Sequence, residues 1–233
     1  MITITIYLDE SSSEYAYMAS GWAARLETWE SFADNWQRAL AADKPLAYFK
    51  LNDALGLKGP FDGWTETERN DKLRVLAGLI PHDGTITGVG CYVRRADFEQ
   101  VKPHIRRQIY KDPYYVCVTA TMMNVNWGFL GADKFDFILD KSKESERMRM
   151  LFYRDIKPLS PKFGECFPLD DQKTPPLQAA DLHAGLSRQL YELSPRPIMV
   201  GIEPLEGVLT TMFELQPKGL MSAITLPPYL GKQ

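Results

Sequence analysis

The chain opens with strictly alternating apolar and polar side chains. Residues 2–7 read Ile-Thr-Ile-Thr-Ile-Tyr, and a period of two with β-branched residues predicts a half-buried β-strand. The polar stretch 8–13 that follows predicts a turn. Residues 15–24 are rich in small and aromatic side chains and predict a second strand. The chain is therefore expected to begin with a β-hairpin.

Helical spacing replaces this alternation further along the chain. Residues 28–41 place five apolar side chains on one face, which predicts an amphipathic helix; these are Trp29, Phe32, Ala33, Trp36 and Leu40. Residues 44–64 contain glycine and proline and predict a loop. Thr65 and Glu68 have the spacing of a capping box and predict the start of the next helix.

The remaining pattern alternates strands with helices. Strands are predicted over 85–93, 135–140 and 165–169, and helices over 114–130, 143–156 and 175–193. Thr174 is the predicted cap of the last helix and Pro175 its first residue. Residues 94–110 predict a partly helical segment that Pro103 interrupts. This order of elements predicts an α/β fold with a mixed sheet.

The composition is that of a globular protein. Of 233 residues, 45% are hydrophobic and 24% charged, which excludes a mainly disordered chain and favours one domain over 1–233. We expect this domain to carry a helical insertion around 94–130 and a proline-rich extension from about residue 194. The formal charge is −3, from 27 Lys and Arg against 30 Asp and Glu. Nucleic acid would therefore have to bind through a local patch or a bound cation.

Cysteine and histidine are few and scattered. The residues are Cys91, Cys117, Cys166, His82, His104 and His183. Without a C-x-x-C pair, neither a disulfide framework nor a thiolate zinc site is expected, so a metal would be held mostly by oxygen, as magnesium or manganese is. The N-terminus lacks the basic region of a signal peptide and no apolar stretch is long enough to span a membrane. We expect a soluble cytoplasmic protein that contacts no membrane.

Three aspartates are candidates for a shared metal site. Asp9 follows the first predicted strand, Asp140 follows a strand of Phe and Ile, and Asp181 lies within the last helix. Ligands of open α/β sheets gather at strand ends, where a packed helix could bring Asp181. Two charges about 5 Å apart repel by about 3 kcal/mol at an effective dielectric of about 20, and a divalent cation reverses that sign. Taken singly, an aspartate after a strand is usually a turn former.

The helix around Asp181 has two unusual neighbours. Gly185 lies one turn later, and a glycine there costs the helix about 1 kcal/mol relative to alanine. That cost is explained if this face of the helix must admit a close neighbour. Gln178 lies one turn earlier on the same face and could orient Asp181.

Three short motifs resemble one protein family. Residues 7–11 (Tyr-Leu-Asp-Glu-Ser) are similar to the Y-x-D-E-S-G opening of the proteins grouped as domain of unknown function 3800. Residues 137–140 (Phe-Ile-Leu-Asp) resemble that family's middle strand, and 176–182 (Pro-Leu-Gln-Ala-Ala-Asp-Leu) its closing helix. The resemblance implies a ribonuclease H-like fold and a metal-dependent nuclease. It also implies that the catalytic carboxylates, which would hold Mg²⁺ or Mn²⁺, are Asp9, Asp140 and Asp181.

The chain departs from the family's pattern at two positions. Ser12 stands where the family has glycine, and serine adopts a left-handed backbone less easily. The family often carries a lysine or histidine after its first helix, which makes Lys50 a catalytic candidate that could neutralise a phosphate or a developing oxyanion. The acid expected beside it in sequence is absent, and a surface lysine is the alternative explanation.

Other acids could add metal ligands. Glu10 follows Asp9, but adjacent strand residues point to opposite faces, so we expect only Asp9 to face a metal. Asp170 and Asp171 precede the last helix and could add a ligand or cap the turn before it.

Residues 94–111 carry a local excess of positive charge. The basic residues are Arg94, Arg95, Lys102, Arg106, Arg107 and Lys111, and the interleaved or adjacent aromatic residues are Tyr92, Phe98, Tyr110, Tyr114 and Tyr115. This combination is expected of a surface that follows a phosphate backbone and stacks bases. A solvated segment with aromatic anchors in the core explains it equally well.

These features predict a divalent-metal-dependent nuclease that hydrolyses phosphodiester bonds in nucleic acid. The alternative is an inactive ribonuclease H-like protein that binds nucleic acid or a protein partner. A polynucleotidyl transferase with the same carboxylate chemistry is a third possibility. The motifs G-x-G-x-x-G, G-x-x-x-x-G-K-[ST] and H-E-x-x-H are absent from the sequence, which disfavours nucleotide-cofactor enzymes and zinc proteases.

Overall fold

A computed structural model describes residues 1–129, 131–191 and 210–214 and shows an α/β fold. Six strands form one sheet in the order β5-β4-β1-β2-β3-β6. Their bounds are β1 Thr3–Ser12, β2 Ala16–Arg25, β3 Thr87–Arg94, β4 Lys134–Asp140, β5 Phe163–Leu169 and β6 Thr210–Glu214. Of the predicted extension after about residue 194, only 210–214 lies within the described residues.

The strand directions identify the topology. β2 pairs antiparallel with both β1 and β3, whereas β4 runs parallel to β1 and β5 parallel to β4. An antiparallel three-stranded meander extended by two parallel strands, in the order β3-β2-β1-β4-β5, is the ribonuclease H-like sheet. The predicted fold class, a ribonuclease H-like mixed sheet flanked by helices, is thereby confirmed.

Helices cover both faces of the sheet. They are α1 Leu26–Ala41, α2 Leu51–Gly56, α3 Glu66–Ala77, α4 Arg95–Val101, α5 Pro113–Gly128, α6 Lys143–Leu151 and α7 Pro175–Tyr191. Alternate residues of β1 divide the core: Ile6 and Leu8 belong to an apolar cluster with α4, α5 and α6. Tyr7 packs instead against a cluster formed with α1, α2, α3 and α7. None of the helices in the described ranges is both long and apolar enough to cross a membrane.

Local signals set several helix starts. The Thr65 hydroxyl accepts a hydrogen bond from the Glu68 backbone N–H at 3.2 Å, and the Glu68 carboxylate accepts one from the Thr65 N–H at 2.7 Å. The predicted capping box is therefore confirmed, and it satisfies two N–H groups that the helix itself leaves unpaired. The carbonyl of Thr174 accepts from the N–H groups of Leu177 and Gln178, in keeping with its predicted place at the start of α7.

Two predicted segments differ from the structure. The turn predicted over 8–13 is wrong, because β1 continues to Ser12 and residues 8–12 pair with 17–21 of β2. The loop predicted over 44–64 is also too simple, because it contains α2 and a 3₁₀ turn at Gly59–Phe61. In residues 8–12, pairing with β2 outweighs the polar local sequence.

Candidate active site

Register places the first two aspartates side by side. β1 and β4 are parallel neighbours, and the pair Leu8–Leu139 directly precedes Asp9 on one strand and Asp140 on the other. Neighbouring strands lie about 4.8 Å apart. Asp9 is two residues after Tyr7 and so faces the side on which α7 packs. Asp140 is the last residue of β4, as predicted. Asp9 was expected to follow its strand, but it lies within β1.

Helix α7 completes the group. One cavity of about 280 Å³ is lined by Asp9, Asp140 and Asp181 together with Glu10 and Lys50. Asp9 and Asp181 are buried, at 7% and 8% exposure. The structure therefore brings together the three aspartates that are distant in sequence, at the edge of the sheet where β1 and β4 end.

Burial and mutual repulsion disfavour the ionised form of the acids in this cavity. Burial raises the pKa of Asp9 well above its ordinary value, and the charges of Asp181, Glu10 and Asp140 raise it further. Burial also raises the pKa of Asp181 to about 6, against the opposing hydrogen bond from the Leu51 N–H. The ionised aspartates are thus destabilised in the folded protein, and a cation in the cavity would relieve that cost.

Lys50 lies among these acids. Its Nζ is 2.5 Å from Oδ2 of Asp171 and 3.6 Å from Oδ2 of Asp140. Burial acts to lower the Lys50 pKa, but the hydrogen bond to Asp171 and the nearby carboxylates outweigh it and raise that pKa. Lys50 is therefore charged at neutral pH and offsets part of the negative charge. Its partner Asp171, at 8% exposure, lies beside Lys50 in space although the two are far apart in sequence.

Helix α7 holds the segment that carries Lys50. The Gln178 Oε1 atom accepts from the backbone N–H of Phe49 at 3.1 Å and from Nε1 of Trp36 at 2.9 Å. The Gln178 Nε2 atom donates to the carbonyl oxygens of Asp171 at 3.0 Å and Gln172 at 3.3 Å. Gln178 therefore holds the segments of Lys50 and Asp171, and the prediction that it orients Asp181 is wrong.

Gly185 has the close neighbour that its position predicted. A Cβ added there would lie 2.1 Å from Cδ2 of Leu51, far inside the contact distance of two non-bonded carbon atoms. Leu51 also donates its backbone N–H to Asp181. The missing side chain at Gly185 thus allows residues 49–51 to lie directly on α7.

The additional predicted ligands divide into two groups. Glu10 lines the same cavity as Asp9, so the expected separation of the two acids on opposite faces of the strand does not keep Glu10 out of the cavity. Burial raises the Glu10 pKa to about 7, and Asp140 adds to that shift while Lys50 opposes it. Asp170 accepts from the Gln172 N–H at 3.1 Å and caps the turn, as its alternative interpretation proposed.

Sequence reasoning missed Arg188. This residue lines the cavity, and its Nε donates to the hydroxyl of Ser11 at 2.8 Å. Arg188 is seven residues after Asp181, two turns along the same face of α7, and that spacing could have identified it.

The basic segment 94–111 is only partly available for contacts. Lys102 pairs with Glu99 at 2.8 Å, and Arg107 pairs with the buried Asp155 at 2.9 Å. The Arg95 guanidinium donates to the carbonyl of Ser13. All five neighbouring aromatic residues are buried: Tyr92, Phe98, Tyr110, Tyr114 and Tyr115. They are core anchors and stack no bases, so the alternative interpretation holds for them.

The donor set fits a hard divalent cation, because carboxylate oxygen is what Mg²⁺ and Mn²⁺ prefer. The side chains do not already enclose an ion: across residues 1–129, 131–191 and 210–214, no three His, Cys, Asp or Glu form a ready ligand group. Each acid instead faces an internal donor. The Glu10 N–H donates to Asp9 at 2.8 Å, the Leu51 N–H donates to Asp181 at 2.6 Å, and Lys50 lies against Asp140.

No protein-family model matches the chain, and no curated protein matches it either. Among solved structures, the crystal structure of Bst-RNase HIII in complex with Mn²⁺ is similar over 96% of this chain and 70% of its own, with a TM-score of 0.46 and 12% identity. A likeness of that extent supports no inference about activity.

Proposed function

We propose that this protein is a divalent-metal-dependent nuclease that hydrolyses phosphodiester bonds. The observation that carries the proposal is the convergence of Asp9, Asp140 and Asp181 in one cavity, with raised pKa values at all three. Buried acids with raised pKa values are typical of functional sites. A bound cation would stabilise the ionised form of these acids.

The chain's own residues have distinct parts in this proposal. Asp9, Asp140 and Asp181 would hold Mg²⁺ or Mn²⁺, with Glu10 of the same cavity as a further ligand. Asp171 would instead position Lys50, with which it is paired. Such an ion, when bound, supplies an activated water and polarises the phosphate. Lys50 stays charged and, fixed between Asp140 and Asp171, can stabilise negative charge on the phosphate oxygens. Gln178 holds the Lys50 segment through the Phe49 N–H and the Asp171 segment through the carbonyls of Asp171 and Gln172.

We also propose membership of the family grouped as domain of unknown function 3800. The support is that the three acids of the matching motifs lie together, although the motifs span residues 7–182. Nucleic acid would be the substrate, with Arg106 and Lys111 among the basic residues that could contact its phosphates. The cysteines are all free and buried, which suits a reducing compartment such as the cytoplasm.

The test is cleavage of labelled single- and double-stranded DNA and RNA in Mg²⁺, in Mn²⁺ and in EDTA. Wild type should cleave only with metal. Asp181→Asn should lose activity on the order of 100-fold or more, because even partners of metal ligands typically contribute 10- to 100-fold. Asp34→Asn makes the same change at an exposed position of α1 and should retain full activity. Full activity of Asp181→Asn, or cleavage in EDTA, would overturn the proposal.

One observation favours the alternative of a binding protein without catalysis. Lys50 lies 3.6 Å from Asp140, where its ammonium group already supplies positive charge to the cavity. If that pair replaces a metal, nucleic-acid binding should be the same in EDTA as in Mg²⁺, and no cleavage should occur under either condition.

A further inference from the structure

Helix α6 begins directly beside the carboxylate cavity. Asp140 is the last residue of β4, and α6 starts at Lys143. The Lys141 N–H donates to the Asp140 carboxylate at 2.8 Å. Ser142 caps the helix, because its hydroxyl accepts from the Ser145 N–H at 3.0 Å while the Ser145 hydroxyl accepts from the Ser142 N–H at 2.8 Å. The start of α6 is therefore held in a fixed position next to a candidate metal ligand.

Two neighbouring grooves run along the exposed side of this helix. The first is lined by Lys141, Ser142, Lys143, Glu146 and Arg147. The second is lined by Glu146, Arg149, Met150, Tyr153 and Arg154. Because Glu146 lines both, the two grooves are contiguous, and we call them together the α6 groove. The opposite side of the helix is buried in the core through Met148 and Leu151.

The end of the α6 groove nearest the cavity carries three cations. Lys141 and Lys143 form no ion pair with any residue in the ranges that the structure describes. Arg147 lies beside the hydroxyl of Tyr115, which is a neutral group, so this contact leaves the charge of the guanidinium in place. All three side chains are exposed, and their positive charge is available to an anionic partner.

The two arginines at the far end have acidic partners that do not neutralise the groove. Arg149 lies 3.9 Å from Glu146, and both side chains are about half exposed, so this pair is weak. Arg154 donates to both oxygens of the buried Asp155, from Nε at 3.0 Å and from Nη2 at 2.8 Å. The same carboxylate also accepts from Arg107 at 2.9 Å. Two guanidinium groups therefore share one carboxylate, and a positive charge remains.

The length and charge of the groove suit the regular phosphates of a double helix. With Arg107 counted, six cations stand against three acids, which are Glu144, Glu146 and Asp155. Arg154 lies roughly eleven positions after Lys143, or about 16 Å along a helix. Each strand of a duplex carries one phosphate per about 3.4 Å of its axis, so the groove spans about five phosphates. A rigid row of cations matches phosphates that are already held in line, whereas a flexible single strand loses entropy on being ordered against it.

We propose that the α6 groove binds the backbone of a nucleic-acid duplex and leads it to the carboxylate cavity. The contacts are to phosphates, so binding is independent of base sequence. DNA and RNA duplexes share this chemistry, and the test below separates them. The inference deepens the proposed function, because it rests on a nucleic acid being the substrate of the cavity and assigns that substrate as double-stranded.

The experiment is fluorescence anisotropy with labelled duplexes of about 15 base pairs, roughly 50 Å long, as DNA, as RNA and as the matching single strands. EDTA is present, so no cleavage occurs, and salt is varied from about 50 to about 200 mM. Lys141→Gln/Lys143→Gln removes two cations without breaking an ion pair among the described residues. The control, Arg25→Gln/Arg38→Gln, removes the same charge from exposed positions beside and within α1, on the other face of the sheet. Thermal melting checks that each variant is folded.

Wild type should bind a duplex more tightly than the matching single strands. Lys141→Gln/Lys143→Gln should weaken duplex binding by about 10-fold or more at about 50 mM salt, and should reduce the slope of log K against log salt by about 1.8, or about 0.9 for each lost phosphate contact. The control should stay within about twofold of wild type with the same slope. Glu146→Gln removes the acid that both grooves share and should tighten binding by about threefold.

Four outcomes would each overturn the inference. They are equal weakening by the control, a slope that Lys141→Gln/Lys143→Gln leaves unchanged, tighter binding of single strands than of duplexes, and no binding of any duplex. Cleavage in Mg²⁺ is measured separately, so the two proposals fail separately. Duplex binding that depends on Lys141 and Lys143, without metal-dependent cleavage, would keep the groove and refute the nuclease. Cleavage that Asp181→Asn abolishes, with duplex binding that the lysine variant leaves unchanged, would refute the groove and keep the nuclease.

Discussion

The backbone N–H of Leu51 donates a hydrogen bond to the Oδ2 atom of Asp181 at 2.6 Å. This contact joins the segment that carries Lys50 to the helix that carries a candidate metal ligand. One oxygen of Asp181 is therefore committed to the fold of the protein, and Asp181 has a structural part as well as a chemical one. Substitutions of Asp181 that keep or remove this acceptor should separate the two.

Asp181→Asn should be more stable than Asp181→Ala. Asparagine keeps an oxygen acceptor for Leu51 and removes a charge whose pKa is raised to about 6 by burial, so the metal-free protein should gain on the order of 2 kcal/mol above pH 7. Alanine leaves the buried Leu51 N–H without its acceptor and should lose about 1–3 kcal/mol relative to asparagine. Urea unfolding in EDTA measures both, and equal stability of the two variants would contradict the structural part of Asp181.

Glu10 should make the metal-free protein less stable as pH rises. Its pKa is raised from 4.5 to about 7, mainly by burial, so between these values the folded state holds a proton that the unfolded state has released. Stability from this group is therefore present at low pH and is lost as pH rises towards 7. Glu10→Gln mimics the protonated form, and its advantage over wild type should grow across that window.

The comparison with a variant is needed because His183 acts in the opposite sense. Burial lowers the His183 pKa to about 3, so below about pH 6.5 the unfolded state binds a proton that the folded state excludes, and stability falls as pH falls. That contribution cancels in the difference between Glu10→Gln and wild type. Denaturant unfolding of both proteins from about pH 4 to about pH 8 gives this difference, and a constant gap would count against the raised pKa.

The fold was largely predictable because its signals are local. The alternation at residues 2–7 and the apolar segment 135–140 each predict a buried strand. The parallel pairing of these strands brings Asp9 beside Asp140. The capping box at Thr65 likewise needs only residues within one turn of each other. In such places propensity, pattern and tertiary structure agree, which is the usual condition for a reliable prediction.

The parts that failed depend on contacts distant in sequence. Gln178 contacts Phe49, which is 129 positions away, and no local pattern shows which of its neighbours it binds. Lys50 donates a hydrogen bond to Asp171, which is 121 positions away. The sequence next to Lys50 therefore does not reveal its acidic partner. Tyr110 and Tyr114 look the same in sequence whether they face solvent or the core, because only tertiary packing decides their burial.

Metal binding should stabilise the protein through the three aspartates. An ion that binds only the folded state, at 100 times its dissociation constant, adds about 2.7 kcal/mol, or roughly 5–10 °C in Tm for a chain of this size. Mn²⁺ or Mg²⁺ should therefore raise the Tm of wild type and of Asp34→Asn, and should leave that of Asp9→Asn unchanged. Differential scanning fluorimetry with and without metal measures this, and an equal gain in Asp9→Asn would remove Asp9 from the site.

Gln178 should be needed for the position of Lys50. Gln178→Ala removes all four hydrogen bonds of a side chain that is only 2% exposed and should cost on the order of 3 kcal/mol. Gln178→Glu keeps the acceptors for Phe49 and Trp36 but loses the donors to the carbonyls of Asp171 and Gln172. In the nuclease assay, both variants should lower kcat more than they raise KM, because positioning at the reacting centre is lost while remote substrate contacts remain. A change in KM alone would contradict this.

Gly185 and Leu51 should be energetically coupled. In Gly185→Ala the new methyl group would overlap Cδ2 of Leu51. Leu51 is 3% exposed, so its side chain would have to leave its packed position and shift into the cavity that both residues line. Overpacking of this kind costs about 1–3 kcal/mol, more than the roughly 1 kcal/mol by which alanine favours the helix.

Leu51→Ala alone should leave a cavity and lose about 2–5 kcal/mol. In the double variant the methyl group introduced by Gly185→Ala occupies part of that space, so the combined loss should be smaller than the sum of the two. A double-mutant cycle of unfolding free energies measures this coupling, and strict additivity would show that the segment 49–51 does not lie on α7 at Gly185.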